Sequence, residues 1–277
     1  MKKELKYYYL ISISFFLVWL TFWLYLQIFV RDPTSVLFAA FSDSYGAMAL
    51  ISGVIAFAVA QKWGGMKSLV GKAIFMFAIG LLLQAFGQIT YTVYAVFLQT
   101  DVPYPSLGDV GYFGSIPFYA YGAWLLGKVS GSYVTLQKHK GNILWILLIP
   151  AIILYFSYKA FLIGYEFDWN YPLVIFMDFG YPLGQAYYIS LAILAYILTR
   201  KLLGGMMKSR VLLILLALVI QYVADYMFLY QYARGTWYPG GINDLTYLIA
   251  YFVMTIAIIK FTEPYERLVK GNKPKDG

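Results

Sequence analysis

Asp225 lies within an apolar stretch of about 211–232, and Gln221 precedes it by four residues. In a helix that spacing puts both side chains on one face. A carboxylate within a membrane span is costly and normally faces the bundle interior or a cavity. Gln84 and Gln88 repeat the spacing in an earlier apolar run. Asp109 with Tyr112, and Asp244 with Tyr247, stand at Asp-x-x-Tyr spacing at the mouths of two further runs, while Asp43 and Asp178 fall near the starts of two others. Around them the second half is dense in tyrosine: Tyr181, Tyr187, Tyr188, Tyr222, Tyr226, Tyr230, Tyr247 and Tyr251. Carboxylates beside aromatic faces suit a cationic or amphipathic ligand. The candidate ligand-binding set is therefore Asp225, Gln221, Gln84, Gln88, Asp178, Asp109, Asp244, Tyr112, Tyr247 and Asp43. A second reading stands beside it. Asp109 and Asp244 would also serve as helix caps, the tyrosines as an interfacial belt, and Asp225 as a helix-to-helix hydrogen-bond partner.

Other chemistry finds little support. The chain has no cysteine, and its one histidine, His139, lies in the basic loop LQKHKGN, so a metal centre or a bis-histidine haem lacks ligands. Phosphate-binding, serine-hydrolase, zinc-protease and dinucleotide signatures are absent. Lys159 invites a retinal Schiff base, but it falls near the end of its apolar run and can snorkel to the interface. Asp178 and Asp225 are the one conceivable aspartyl-protease pair, and no protease motif flanks them. The expectation is a non-enzyme without cofactor.

The elements that must position these residues are membrane helices. Of 277 residues, 61% are hydrophobic and 12% charged, against about 25% charged in soluble domains. Eight apolar runs follow one another, at about 7–30, 37–60, 70–98, 108–126, 143–163, 172–198, 211–232 and 244–259. Each is near the roughly 20 residues a helix needs to cross the hydrocarbon core. The first is too long and too aromatic for a cleaved signal peptide. Placing the N-terminus inside leaves 18 of the 21 Lys and Arg residues on the cytoplasmic side, with Arg31, Lys159 and Arg234 opposite. The net charge of +8 is thereby topological, and nucleic acid is not an expected partner. The partner is the lipid bilayer.

The chain also reads as a duplication. Gly64-Gly65-Met66-Lys67-Ser68 recurs as Gly204-Gly205-Met206-Met207-Lys208-Ser209, Gln84-x-x-x-Gln88 as Gln221-x-x-x-Asp225, and Asp109-x-x-Tyr112 as Asp244-x-x-Tyr247. Four helices separate equivalents, so both halves enter the membrane in the same sense. The expected fold is all-α integral membrane, with eight transmembrane helices in a 4+4 parallel internal repeat and both termini cytoplasmic. Its parts are a first four-helix repeat (1–127), a cytoplasmic basic connector (128–141), a second repeat (142–260) and a cytoplasmic polar tail (261–277).

The stretch Pro103-Tyr104-Pro105-Ser106-Leu107-Gly108-Asp109-Val110-Gly111-Tyr112, with Asp178 to Pro182 and Asp244 to Tyr247 after it, carries a resemblance. It resembles the multi-helix N-terminal membrane regions of prokaryotic diguanylate cyclases and sensor histidine kinases. There a P-x-P-S-x-x-D-x-x-Y stretch opens a middle helix and similar aspartates recur downstream. The resemblance covers most of the chain and implies a region that perceives something at the cell membrane. The 18-residue tail from Lys260 is too short for an output domain, so no cyclase or kinase activity carries over. Two expectations follow. One is a stand-alone sensor or accessory module that binds an unknown small ligand in an outward-facing Asp/Tyr-lined pocket and signals through a cytoplasmic or membrane partner. The alternative is a small-solute or ion transporter or channel using the same pocket.

Overall fold

The computed structural model describes residues 2–130, 143–199, 205–263 and 265. His139, most of the basic connector, the Arg200-Lys201 pair with Gly204, and nearly all of the polar tail lie outside the described residues. Among the described residues the chain is helical, with no strand. The helices are α1 (Lys2–Tyr25), α2 (Val36–Ser44), α3 (Ala47–Lys62), α4 (Leu69–Thr92), α5 (Leu107–Val129), α6 (Ile143–Ser157), α7 (Pro172–Thr199), α8 (Gly205–Ala233) and α9 (Ile242–Lys260). Wide π-helical turns extend α1, α4 and α6 at Leu26–Val30, Val93–Leu98 and Tyr158–Leu162.

Among the described residues five segments are long and apolar enough to cross a membrane: Glu4–Val30, Val36–Lys62, Leu69–Leu98, Ser209–Ala233 and Ile242–Lys260. Helix α6 contributes a shorter apolar helix, Leu147–Leu162. Helices α5 and α7 have the length, but glycine, tyrosine, serine and an aspartate dilute their apolar character. Many of them, among them Asp109, Ser115, Tyr119, Tyr181, Tyr188 and Ser190, are buried in the protein interior, while Tyr121, Tyr187 and Tyr196 are exposed.

Helix starts follow local capping chemistry. The Leu37 amide donates to Ser35 Oγ (3.3 Å), and the Gly71 amide to Ser68 Oγ (2.9 Å). The apolar run at 37–60 is not one helix. It breaks at Tyr45-Gly46 into α2 and α3. The break leaves the carbonyls of Ser42 and Asp43 free to accept from Gln88 Nε2 (2.9 Å) and Thr92 Oγ1 (3.0 Å) of α4. Gly46 allows that approach, because a Cβ there would stand 2.1 Å from Gln88 Cγ.

Six helices form a ring. Helix α3 packs on α4, α4 on α5, α5 on α7, α7 on α8, α8 on α9, and α9 back on α3. Outside the ring α1 lies against α9 and α3, and α6 against α7. Leu10, Ile11, Leu17 and Val18 of α1 remain exposed, as expected of a lipid-facing surface. Lipid tails are as apolar as leucine, so close packing and polar bonds hold such helices together. The α4–α5 crossing depends on Gly111, where a Cβ would lie 2.4 Å from the Leu83 carbonyl oxygen and 2.6 Å from the Gly87 nitrogen. The two backbones touch there. At the end carrying loops 99–106, 163–171 and 234–241, here the mouth end, the ring opens into a cavity. At the other end buried Phe77, Leu126, Ile214 and Ile258 fill it, and Ser52 hydrogen-bonds to Thr255.

Candidate functional site

The cavity has a volume of about 460 Å³. Three helices present the same pattern to it. Asp109, Tyr112, Ile116 and Tyr119 on α5, Asp178, Tyr181, Gln185 and Tyr188 on α7, and Asp244, Tyr247 and Tyr251 on α9 follow i, i+3, i+7 spacing. Each stripe begins with an aspartate followed three residues later by a tyrosine. Helix α4 adds Gln84, Gln88 and Tyr91, and α8 adds Asp225.

Asp225 is the deep carboxylate, with only 8% of its surface exposed. It accepts three hydrogen bonds: from Tyr188 (3.0 Å), from Tyr247 (2.9 Å) and from Gln221 Nε2 (3.1 Å). Gln221 stands behind it, in the helix wall. Gln84 accepts from Tyr251 (3.0 Å) and donates to Ser115 (2.8 Å), while Gln88 accepts from Tyr112 (3.2 Å).

Asp109 and Asp244 each stand third in their helix, but only Asp109 caps it. Asp109 reaches back to the Ser106 amide (2.7 Å) in a capping box, whereas Asp244 accepts from the Gly240 amide (2.8 Å), one residue before the N-cap Gly241, and so ties down the mouth loop. Capping does not keep Asp109 from the cavity, which both carboxylates line. Tyr181 adds a bond to Asp109 at 2.5 Å across the α5–α7 seam. Gly240, which Asp244 holds, also accepts from Trp23 (3.1 Å) and Gln27 (3.2 Å), pinning α1 to the mouth loop.

Asp178 sits at the mouth between two loops. Tyr104 donates to one of its oxygens (2.8 Å) and Tyr165 to the other (2.7 Å). Burial, with Asp178 beside it, pushes the Tyr104 hydroxyl above its ordinary value, and the bond to Asp178 pushes that of Tyr165 up to about 12. Both hydroxyls therefore remain protonated donors through neutral pH.

Eight of the ten candidate residues line the cavity; Gln221 and Asp43 do not. Asp43 is half-buried at the end of α2, where it offers its carbonyl to Thr92. The cavity also holds residues outside that set. Gln185 continues the α7 stripe, a periodic signal legible in the sequence. Asn243 adjoins Asp244. Tyr104 and Tyr165 come from loops and carry no periodic signal. Gln185 Oε1, Asn243 Oδ1 and Trp237 Nε1 are buried polar atoms without a hydrogen-bond partner among the described residues, and all three residues line the cavity.

Among the described residues the wall thus carries four aspartates and no lysine, arginine or histidine. The carboxylates are spread apart. Among the described residues no three acidic, histidine or cysteine side chains converge as metal ligands would. Lys159 lies in the π turn after α6, over the Tyr155 ring at 5.9 Å, and is exposed there. No family model matches the chain, and neither curated proteins nor solved structures give a match.

Proposed function

We propose that the chain is an eight-span membrane protein whose cavity opens away from the cytoplasm and binds a small organic cation. Its role would be that of a sensing or accessory module that passes occupancy to a signalling partner. The observation that carries the ligand class is the set of four cavity aspartates with no basic side chain among the described lining residues. A low-dielectric site of one sign attracts the opposite charge, and tyrosine faces hold organic cations. The sensing role rests on the P-x-P-S-x-x-D-x-x-Y resemblance.

The ring order supports the 4+4 duplication. Exchanging α3 with α7, α4 with α8 and α5 with α9 carries every neighbouring pair of the ring onto another neighbouring pair. The bonds support it too, since Tyr112 to Gln88 and Tyr247 to Asp225 join positions equivalent in the two halves. A central cavity between parallel repeats is also a transporter arrangement, which keeps solute transport as the second reading. The filled end of the ring favours binding. Proteoliposomes that accumulate an organic cation, with flux lost in Asp225→Asn, would establish transport instead.

Orientation has a direct check, because the chain offers a cysteine-free background. Asp32→Cys and Asn170→Cys are expected to react with a membrane-impermeant maleimide in intact cells. Gln61→Cys is expected to react only after permeabilisation. The reverse pattern would invert the topology and place the cavity mouth in the cytoplasm. The ligand class is tested by titrating the purified protein with an amine and its uncharged alcohol analogue.

A further inference from the structure

Resting on the organic-cation reading, we propose that the cavity takes a linear polyamine, an extended chain with at least two separated ammonium groups. The wall places its negative charges at two depths. Tyr188, whose hydroxyl holds Asp225, lies ten residues beyond Asp178 on α7, about 15 Å along the helix axis. Tyrosine side chains lean back toward the helix N-terminus, so the two carboxylates differ in depth by on the order of 10 Å. One compact cation cannot meet both. A chain with an ammonium near Asp225 and a second near Asp178 meets both at once.

Two unpartnered acceptors point the same way. Gln185 Oε1 is buried with no partner among the described residues, on a side chain only 5% exposed, at a position between Asp178 and Tyr188 on the same stripe. Asn243 Oδ1 is likewise unpartnered, on a side chain 1% exposed, and its amide nitrogen is already committed to the Ala224 carbonyl (2.7 Å). Buried acceptors without donors are costly. Primary and secondary ammonium groups supply N–H donors, and a quaternary ammonium supplies none. Asp178 accepts two hydrogen bonds, leaving capacity on a carboxylate that offers about four lone-pair sites. Between the charged ends, the tyrosine rings give the methylene segments an apolar wall.

The test is calorimetric titration of the purified full chain, in a nonionic detergent at neutral pH, with tetramethylammonium, butylamine, diaminopropane, diaminooctane and spermine. Diaminooctane and spermine are expected to bind roughly tenfold or more tighter than butylamine, as a second close charge pair contributes. Diaminopropane, too short to reach both depths, should resemble butylamine. Asp178→Asn and Asp225→Asn should each reduce diaminooctane to the butylamine level. The Asp178 variant, at the mouth, keeps the test open if the deep one does not fold. Butylamine or tetramethylammonium binding as tightly as diaminooctane would overturn the polyamine assignment and leave the cation site standing. Absence of binding by every amine would overturn both.

Discussion

Asp225→Ala is expected to destabilise the protein by about 3–5 kcal/mol, in the range seen when one partner of a buried polar network is removed. The substitution strips the acceptor from Tyr188, Tyr247 and Gln221 together. Those donors come from α7, α9 and α8, so the loss loosens three neighbours in the ring. Asp225→Asn keeps the shape and one good acceptor oxygen, and should cost less than half as much. The difference between the variants separates the hydrogen bonds from the charge. The measurement is thermal unfolding of each variant in the same detergent. An alanine variant as stable as the parent would mean that the network around Asp225 contributes nothing to ring closure.

Gly111→Ala should be the most damaging single-methyl change in the bundle. Its Cβ would meet backbone atoms of α4 at 2.4 and 2.6 Å, and backbone cannot turn aside as a side chain can. Helices α4 and α5 would have to separate, at a cost of about 3 kcal/mol, the upper end of overpacking penalties. The neighbouring Gly114→Ala is the internal control. There the nearest contacts are Leu83 side-chain carbons at 3.7 and 4.0 Å, ordinary packing distances. Alanine at 114 should be neutral or slightly stabilising, since it favours the helix over glycine. For a chain of this size the Gly111 variant should unfold some 5–10 °C lower, while the Gly114 variant should stay within a degree or two. Equal effects at the two positions would show that the backbones do not touch at the α4–α5 crossing.

Legibility differed from residue to residue for physical reasons. Asp225 was conspicuous because a carboxylate within an apolar helix needs a partner, and the i, i+4 offset from Gln221 pointed to the first of its three. The cap at Asp109 was equally open to reading, since capping is settled within one turn. The break at Tyr45-Gly46 was not. It answers to Gln88, more than forty residues away, and nothing local in an apolar run announces a distant side chain pressing on a glycine. Tyr104 and Tyr165 were hidden for the same reason, as loop tyrosines acquire a role only when the fold brings Asp178 between them. The membrane character of α5 and α7 is blurred in composition because their polar stripes face the cavity. Helix spans are recognised by hydropathy, and a helix that lines a polar interior gives part of that signal up.

We propose that the cavity selects positive charge through its carboxylates. The most direct measurement is calorimetric titration of the wild-type chain with diaminooctane and with octanediol, its uncharged counterpart of nearly the same shape. Saturable binding of the diamine, weakened at least tenfold in Asp225→Asn and absent for the diol, is the expected result. Equal affinity for diamine and diol, or a diamine affinity that Asp225→Asn leaves unchanged, would contradict it.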